Sequence, residues 1–212
     1  MILSVILIPV IAGILVLLIP FKKRSHMEIF LEGMVILNSI LVWTLLVHRP
    51  ENIFTLANFT GNLSISFDVD GMGMVFGGLV SALWPLATLY AFEYMTKEEH
   101  EKVFFMFYTM TYSVTLGISF SANLLTMYFF YELLTLVTVP LVMHTLTREA
   151  ILASRKYLYY SLGGAAFAFI GLIFIIIYGN TTDFVLGGVL DPEKIGARTN
   201  VLLLIYVIAF MG

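Results

Sequence analysis

Cysteine is absent from the 212 residues, which removes any thiolate-bound iron–sulfur cluster and any zinc site of the cysteine type. Charge is scarce too. Only 12% of the residues are Asp, Glu, Lys or Arg, whereas 60% are hydrophobic and the mean hydropathy is +0.97. Soluble domains carry roughly 25% charged residues, so this mixture argues against a soluble fold. With 11 basic residues against 14 acids and a net charge of -3, there is no basic surface to track a phosphate backbone, and nucleic acid is set aside as a partner. No GxGxxG, P-loop or nucleophile elbow is present. Nothing in the chain binds a redox centre or activates a nucleophile. No catalytic residue, cofactor or metal site is therefore expected, and any electron transfer belongs to partner chains.

What the chain has in quantity is long apolar runs. A helix needs about 20 apolar residues to cross a hydrocarbon core. Six runs approach that length, at Ile2 to Pro20, Ile29 to Val47, Gly71 to Met95, Val103 to Phe120, Leu124 to Leu146 and Ser154 to Tyr178; a seventh, Val201 to Gly212, is too short to cross alone. The fold expected is an all-α polytopic transmembrane bundle of six spans plus a partial seventh, forming one membrane domain in the lipid bilayer. The first run is followed, not preceded, by Lys22, Lys23 and Arg24, which favours a retained span over a cleaved signal peptide. The finish in an apolar stretch suggests the front part of a longer protein.

Alternate loops divide the positive charge unevenly. One side receives eight basic residues, Lys22, Lys23, Arg24, Lys97, Lys102, Arg148, Arg155 and Lys156, and the other three, Arg49, Lys194 and Arg198. The richer side is expected to be cytoplasmic, with the N-terminus outside a cell membrane. In the first outside loop, Leu63, Ile65, Phe67 and Val69 alternate with Ser64, Ser66, Asp68 and Asp70. That period of two reads as a strand, paired in a small hairpin with Asn52 to Ala57 through a turn at Asn58 to Asn62. The second outside loop, Asn180 to Asn200, yields no firm assignment.

The candidate chemistry lies in the fifth and sixth spans. Glu132 sits near the middle of NLLTMYFFYELLTLVTVPLVMHT, about 15 Å from the nearer surface at 1.5 Å per residue. A carboxylate at that depth cannot reach water along its own stem, and such residues usually mark an ion path or a relay. The competing reading is a protonated Glu that hydrogen-bonds a neighbouring helix. Lys156 lies near the start of the sixth span, where it either acts within the bundle or lifts its ammonium to the interface. Its company of Tyr157, Tyr159 and Tyr160 favours the former, and the short connection makes these two helices antiparallel neighbours. If Glu132 and Lys156 communicate, directly or through water, their titrations are coupled and moving one proton gates the other. Pro140 opens a polar gap in the fifth helix beside Thr135 and Thr138, or is a packing kink. Glu32, about one turn inside the second span, is a weaker candidate. His26, His48, His100 and His144 fall at span ends without metal-ligand spacing. Gly163 to Gly171 gives the sixth helix a small-residue face suited to close packing.

The motifs DVDGMGMVF, TLYAFEYM, SANLLTMYFFYELLTL and ASRKYLYYSLGG together resemble the antiporter-like membrane subunits shared by respiratory complex I, Mrp cation/proton antiporters and membrane-bound hydrogenases. The resemblance runs from about residue 64 onward, and the motif around Glu132 is its most specific part. It implies the N-terminal half of a longer subunit that works with other membrane subunits of a multi-subunit complex. Glu132 matches the family's essential glutamate and Lys156 a lysine that many members carry in the next span. The family's next lysine follows shortly after a stretch like IYVIAFMG, where this chain stops, so the piece is incomplete or another chain completes it. The function expected is translocation of a proton or a sodium ion. The alternatives are a non-conducting membrane scaffold that holds partner subunits and, last, a secondary transporter for an organic solute.

Overall fold

Helices account for most of the computed structural model, as the lack of water in a bilayer requires: every backbone N–H and C=O must find a partner inside the chain. The structure describes residues 1–50, 52–60, 63–196 and 199–211. In chain order, α1 (Ile2–Leu18) and α2 (Arg24–Val47) precede strands β1 (Phe54–Thr60) and β2 (Leu63–Phe67). Then follow α3 (Gly71–Tyr94), a 3-10 turn at Met95–Lys97, α4 (Glu101–Ser119), α5 (Leu124–Val142), α6 (Arg148–Tyr178), the short α7 (Pro192–Ile195) and α8 (Thr199–Met211).

Four of these are long and apolar enough to cross a membrane: α2, α3 with its following turn, α5 and α6. The six spans expected from the apolar runs are thus matched in full by four. α1 has 17 residues and α8 has 13, while α4 opens on Glu101 and Lys102 and is rich in hydroxyl residues. Those hydroxyls are not lost to lipid. Thr111, Thr115 and Ser119 each donate to the carbonyl four residues earlier, at 2.8 to 2.9 Å, the bond that lets such residues lie in an apolar setting.

Two helices begin earlier than the hydropathy pattern suggests. α2 starts at Arg24, not near Ile29, and α6 at Arg148, not Ser154. The second case has a local cause: the Thr147 hydroxyl accepts from the Ala150 N–H at 3.2 Å, capping the helix six residues ahead of the apolar run, with Glu149 in the first turn. An N-cap hydroxyl and an acid in the first turn both stabilise the unpaired amides there.

α4 is the centre of the bundle, packing along α1, α3 and α5, while α6 lies against α5 and α8. Close approach depends on small residues. A Cβ at Gly13 of α1 would meet the Met106 carbonyl of α4 at 2.7 Å, and one at Gly117 of α4 would overlap the Phe130 ring of α5. On α6 the small-residue face is only partly used: Ala165 and Gly171 are buried, whereas a Cβ at Gly163 would meet nothing. The outward faces carry exposed Ile11, Ile29, Ile40, Val75, Leu86 and Ile177, the composition a hydrocarbon solvent calls for.

The loops gather at two ends. At the basic end, Arg24 pairs with Glu101 at 2.7 Å and donates to the Phe92 carbonyl at 2.5 Å, and Lys102 donates to the Ile19 carbonyl at 3.0 Å. At the opposite end sits the hairpin. β1 and β2 pair antiparallel with Phe54 opposite Phe67, so the expected strand at Leu63 is present, although its partner runs on to Thr60, through most of the turn expected at Asn58 to Asn62. Gly61 and Asn62 lie outside the described residues, as does Arg198 of the second loop. That loop, left unassigned from sequence, bridges Gly179 to Leu190 and Asp183 to Asn123.

Candidate functional site

Helix α5 carries Glu132 eight residues from its first residue and ten from its last, so about 12 and 15 Å from its two ends. The helix is fixed at its start by Asn123, which is fully buried. Its Oδ1 accepts from the Thr126 N–H at 2.8 Å and from the Thr126 hydroxyl at 2.9 Å, while its Nδ2 donates to Ser66 Oγ at 2.7 Å and the Ser64 carbonyl at 2.9 Å. The Ala122 N–H donates to Ser66 O and the Leu124 N–H to Thr182 O. One asparagine therefore ties β2, α5 and the second loop together and sets where Glu132 stands in the bundle. Sequence reasoning passed over it, although the signal was there: an Asn three residues before a Thr at the head of an apolar run is an N-cap pattern.

Glu132 itself is half-buried. Its Oε1 is buried without a hydrogen-bond partner, and the Tyr128 phenol one turn earlier interacts with its carboxyl group. Tyr128 also donates to the Ala165 carbonyl of α6 at 3.4 Å. A carboxyl group with a free buried oxygen is poised to take a proton, a hydrogen bond from water or a cation, since each supplies what that oxygen lacks.

Lower on α5, the Thr138 hydroxyl reaches the Leu134 carbonyl at 2.8 Å and the Tyr157 hydroxyl of α6, also at 2.8 Å. Thr135 is buried, and Pro140 stands inside the helix, removing the amide that would pair with the Leu136 carbonyl. The structure thus joins Thr138 to Tyr157 and leaves Glu132 apart from both.

Lys156 is not brought to Glu132. It lies eight residues into α6, deeper than its place in the apolar run suggested, but its side chain is exposed. Among the described residues it makes neither of the two ion pairs, Arg24 to Glu28 and Arg24 to Glu101. The level contact of Thr138 with Tyr157 puts Glu132 and Lys156 about 10 Å apart along the helix axes, from 1.5 Å per residue. Tyr159 and Tyr160 beside it are also exposed.

Glu32 of α2 is half-buried, with its Oε2 buried and unpartnered. The four histidines stay at helix ends: His26 in the first turn of α2, His48 after its last residue, His100 before α4 and His144 just past α5. Among the described residues no three His, Asp or Glu side chains converge as metal ligands.

Residues 121–212, which hold α5 and α6, match the transmembrane family described as NADH:quinone oxidoreductase/Mrp antiporter. The chain is similar to the antiporter-like membrane subunits over these residues. It is 27% identical over 179 residues to the Na(+)/H(+) antiporter subunit A1 of Staphylococcus aureus, and the same identity holds for that subunit in strain JH9. That alignment takes in 82% of this chain and 22% of the relative, so the chain spans about a fifth of the length of the curated relatives it matches. In fold it is similar to a chain of the membrane-bound sulfane sulfur reductase, an archaeal respiratory membrane complex. The TM-score there is 0.72 at 17% identity, over 98% of this chain and 42% of the other. With four helices long and apolar enough to cross, the chain is accordingly an integral membrane protein, and its α5 and α6 lie inside the residues that match the family model.

Proposed function

We propose that this antiporter-like subunit moves protons, or sodium ions in their place, with Glu132 as the group that carries them. The observation that supports the reading is the Glu132 carboxyl group at mid-height of α5, one oxygen buried and without a partner, within the residues matched to the antiporter family. A buried charge is expensive in a bilayer and is retained where it serves an ion path. In this reading α1 to α6 all cross the bilayer and α8 is a partial seventh crossing. The basic end faces the cytoplasm, the N-terminus lies outside, and the membrane is that of the cell. The named relatives are an antiporter subunit and a respiratory complex; by that likeness this chain works beside other membrane subunits.

Lys156 has the supporting part in the relay. Because its ammonium is exposed and about 10 Å further along the axis than Glu132, the two couple through water or through groups on neighbouring helices, with Tyr157 and Thr138 as the nearest hydrogen-bonded pair between them. The same exposure favours a second reading, a non-conducting membrane scaffold in which α6 is a docking face. The test is Glu132→Gln in the complete assembly: ion movement is lost and subunit composition is unchanged. Retained movement returns the chain to the scaffold reading.

A further inference from the structure

Away from Glu132, a second polar cluster lies between α2, α3 and α4. The Tyr112 hydroxyl of α4 is hydrogen-bonded to Ser39 Oγ of α2 at 2.9 Å, and Tyr112 is fully buried. The Trp84 ring of α3 stacks on Tyr112 with centroids 4.9 Å apart and lies 5.3 Å from Tyr108. Tyr108 in turn accepts from the Thr88 hydroxyl at 3.5 Å and stands within electrostatic reach of Glu32.

Six buried side-chain polar atoms among the described residues lack a partner in good hydrogen-bond geometry, and four of them are on α2 and α3 here: Glu32 Oε2, both amide atoms of Asn38 and Trp84 Nε1. The Asn38 amide stands close enough to the Tyr112 hydroxyl to interact with it, which still leaves its other atom unpaired. Asn38 is fully buried. Leaving such atoms dry forfeits the bonds they made in water, so four in one place call for an occupant.

Its chemistry follows from the atoms. Trp84 Nε1 and Asn38 Nδ2 only donate, whereas Asn38 Oδ1 and Glu32 Oε2 accept. A bare cation would answer the acceptors and repel the donors, and an anion would do the reverse. Water both donates and accepts, and Glu32 and Asn38 are six residues apart on α2, about 9 Å along its axis, a separation that a single water does not span. Pro85 adds to the demand by removing the amide that would pair with the Ser81 carbonyl on the same helix.

We infer that α2, α3 and α4 enclose a water-filled proton-exchange site, with Glu32 at its basic end and Asn38 and Tyr112 at its inner end, separate from Glu132. Glu32 takes a proton from a hydronium arriving from the basic end: an O–H bond forms on the carboxylate as one breaks on the water. Release to the next water in the file reverses the step. The charged groups at the basic end are Arg24 with Glu28 on α2, Glu93 on α3 and Glu101 on α4 around it, and Lys102 of α4 at the Ile19 carbonyl; α1 brings none. The titratable groups along it are Tyr108 and Tyr112. Among the described residues no hydrogen bond joins this cluster to Glu132, so the inference stands whether or not Glu132 conducts.

The full-length protein in its assembly supplies the test, using water and the proton as probes. Brief X-ray radiolysis in oxygen-18 water labels aromatic rings that touch bound water. The fully buried Tyr112 and the half-buried Trp84 both take up label, and Asn38→Leu, which fills the site, lowers that labelling at least tenfold. In parallel, pH-difference infrared spectra of Glu32→Gln lack a carboxyl band that is present in the wild type and in Glu132→Gln. Tyr112 labelled no more than the equally buried Phe105 would overturn the inference even if Asn38→Leu failed to fold. So would a Glu32→Gln spectrum identical to the wild type. Glu132→Gln leaves both readouts unchanged, which separates this site from the transport reading.

Discussion

Asn123→Ala removes five hydrogen bonds at one stroke, and its cost follows from them. Loss of the N-cap bond to the Thr126 N–H costs about 1 kcal/mol on the usual scale for such caps. Loss of the Nδ2 donor strips Ser66 Oγ and the Ser64 carbonyl of a partner in a buried place, and a buried group left unsatisfied costs about 1 to 3 kcal/mol. The sum is about 2 to 4 kcal/mol. Asn123→Ser separates the parts, since its hydroxyl keeps an N-cap acceptor for Thr126 and it lacks the amide donor, so about half of that cost is expected. The assay is reversible denaturation of the full chain in mixed micelles, followed by circular dichroism and by Trp84 and Trp43 fluorescence. The reasoning is refuted if Asn123→Ala falls within the about 0.5 kcal/mol typical of surface changes, or if Ser is as damaging as Ala.

Three further outcomes are expected. Gly117→Ala places a methyl group on the Phe130 ring and costs about 1 to 3 kcal/mol by overpacking; a paired Phe130→Leu in the same denaturation assay recovers part of it. Arg24→Gln breaks the clamp on Glu101, Glu28 and the Phe92 carbonyl. With its side chain 35% exposed, the loss after solvent screening is about 1 kcal/mol, and the ion-pair part of the gap to wild type narrows in about 1 M salt. Tyr157→Phe removes the bond to Thr138, lowering stability by about 1 kcal/mol without disturbing assembly, as measured by co-purification of partner subunits.

The order of the long helices was legible because a long apolar run has only one use in a chain so poor in charge, although only four of them are long and apolar enough to cross. The hairpin was legible for a related reason, since Leu63 to Val69 alternates where every other residue nearby is continuous. What sequence could not show was direction around each helix. Lys156 is a lysine in an apolar helix either way, and only packing decides that it faces outward while Tyr157, the next residue, turns to Thr138. Lone polar residues posed the same difficulty. Asn38 and Ser39 are more than seventy positions from Tyr112, and nothing in their local pattern says that Ser39 and Tyr112 share a hydrogen bond. The early start of α6 was readable from Thr147 and Glu149, but apolar content alone hides a capped polar turn ahead of the span.

The account turns on Glu132, and the most direct measurement is the initial rate at which the intact complex, carrying Glu132→Gln, changes the internal pH of sealed proteoliposomes under its native driving force. The rate is expected to fall to that of empty vesicles, with Glu132→Asp retaining part of it. A Gln variant that assembles fully and acidifies or alkalinises the lumen at the wild-type rate contradicts the account.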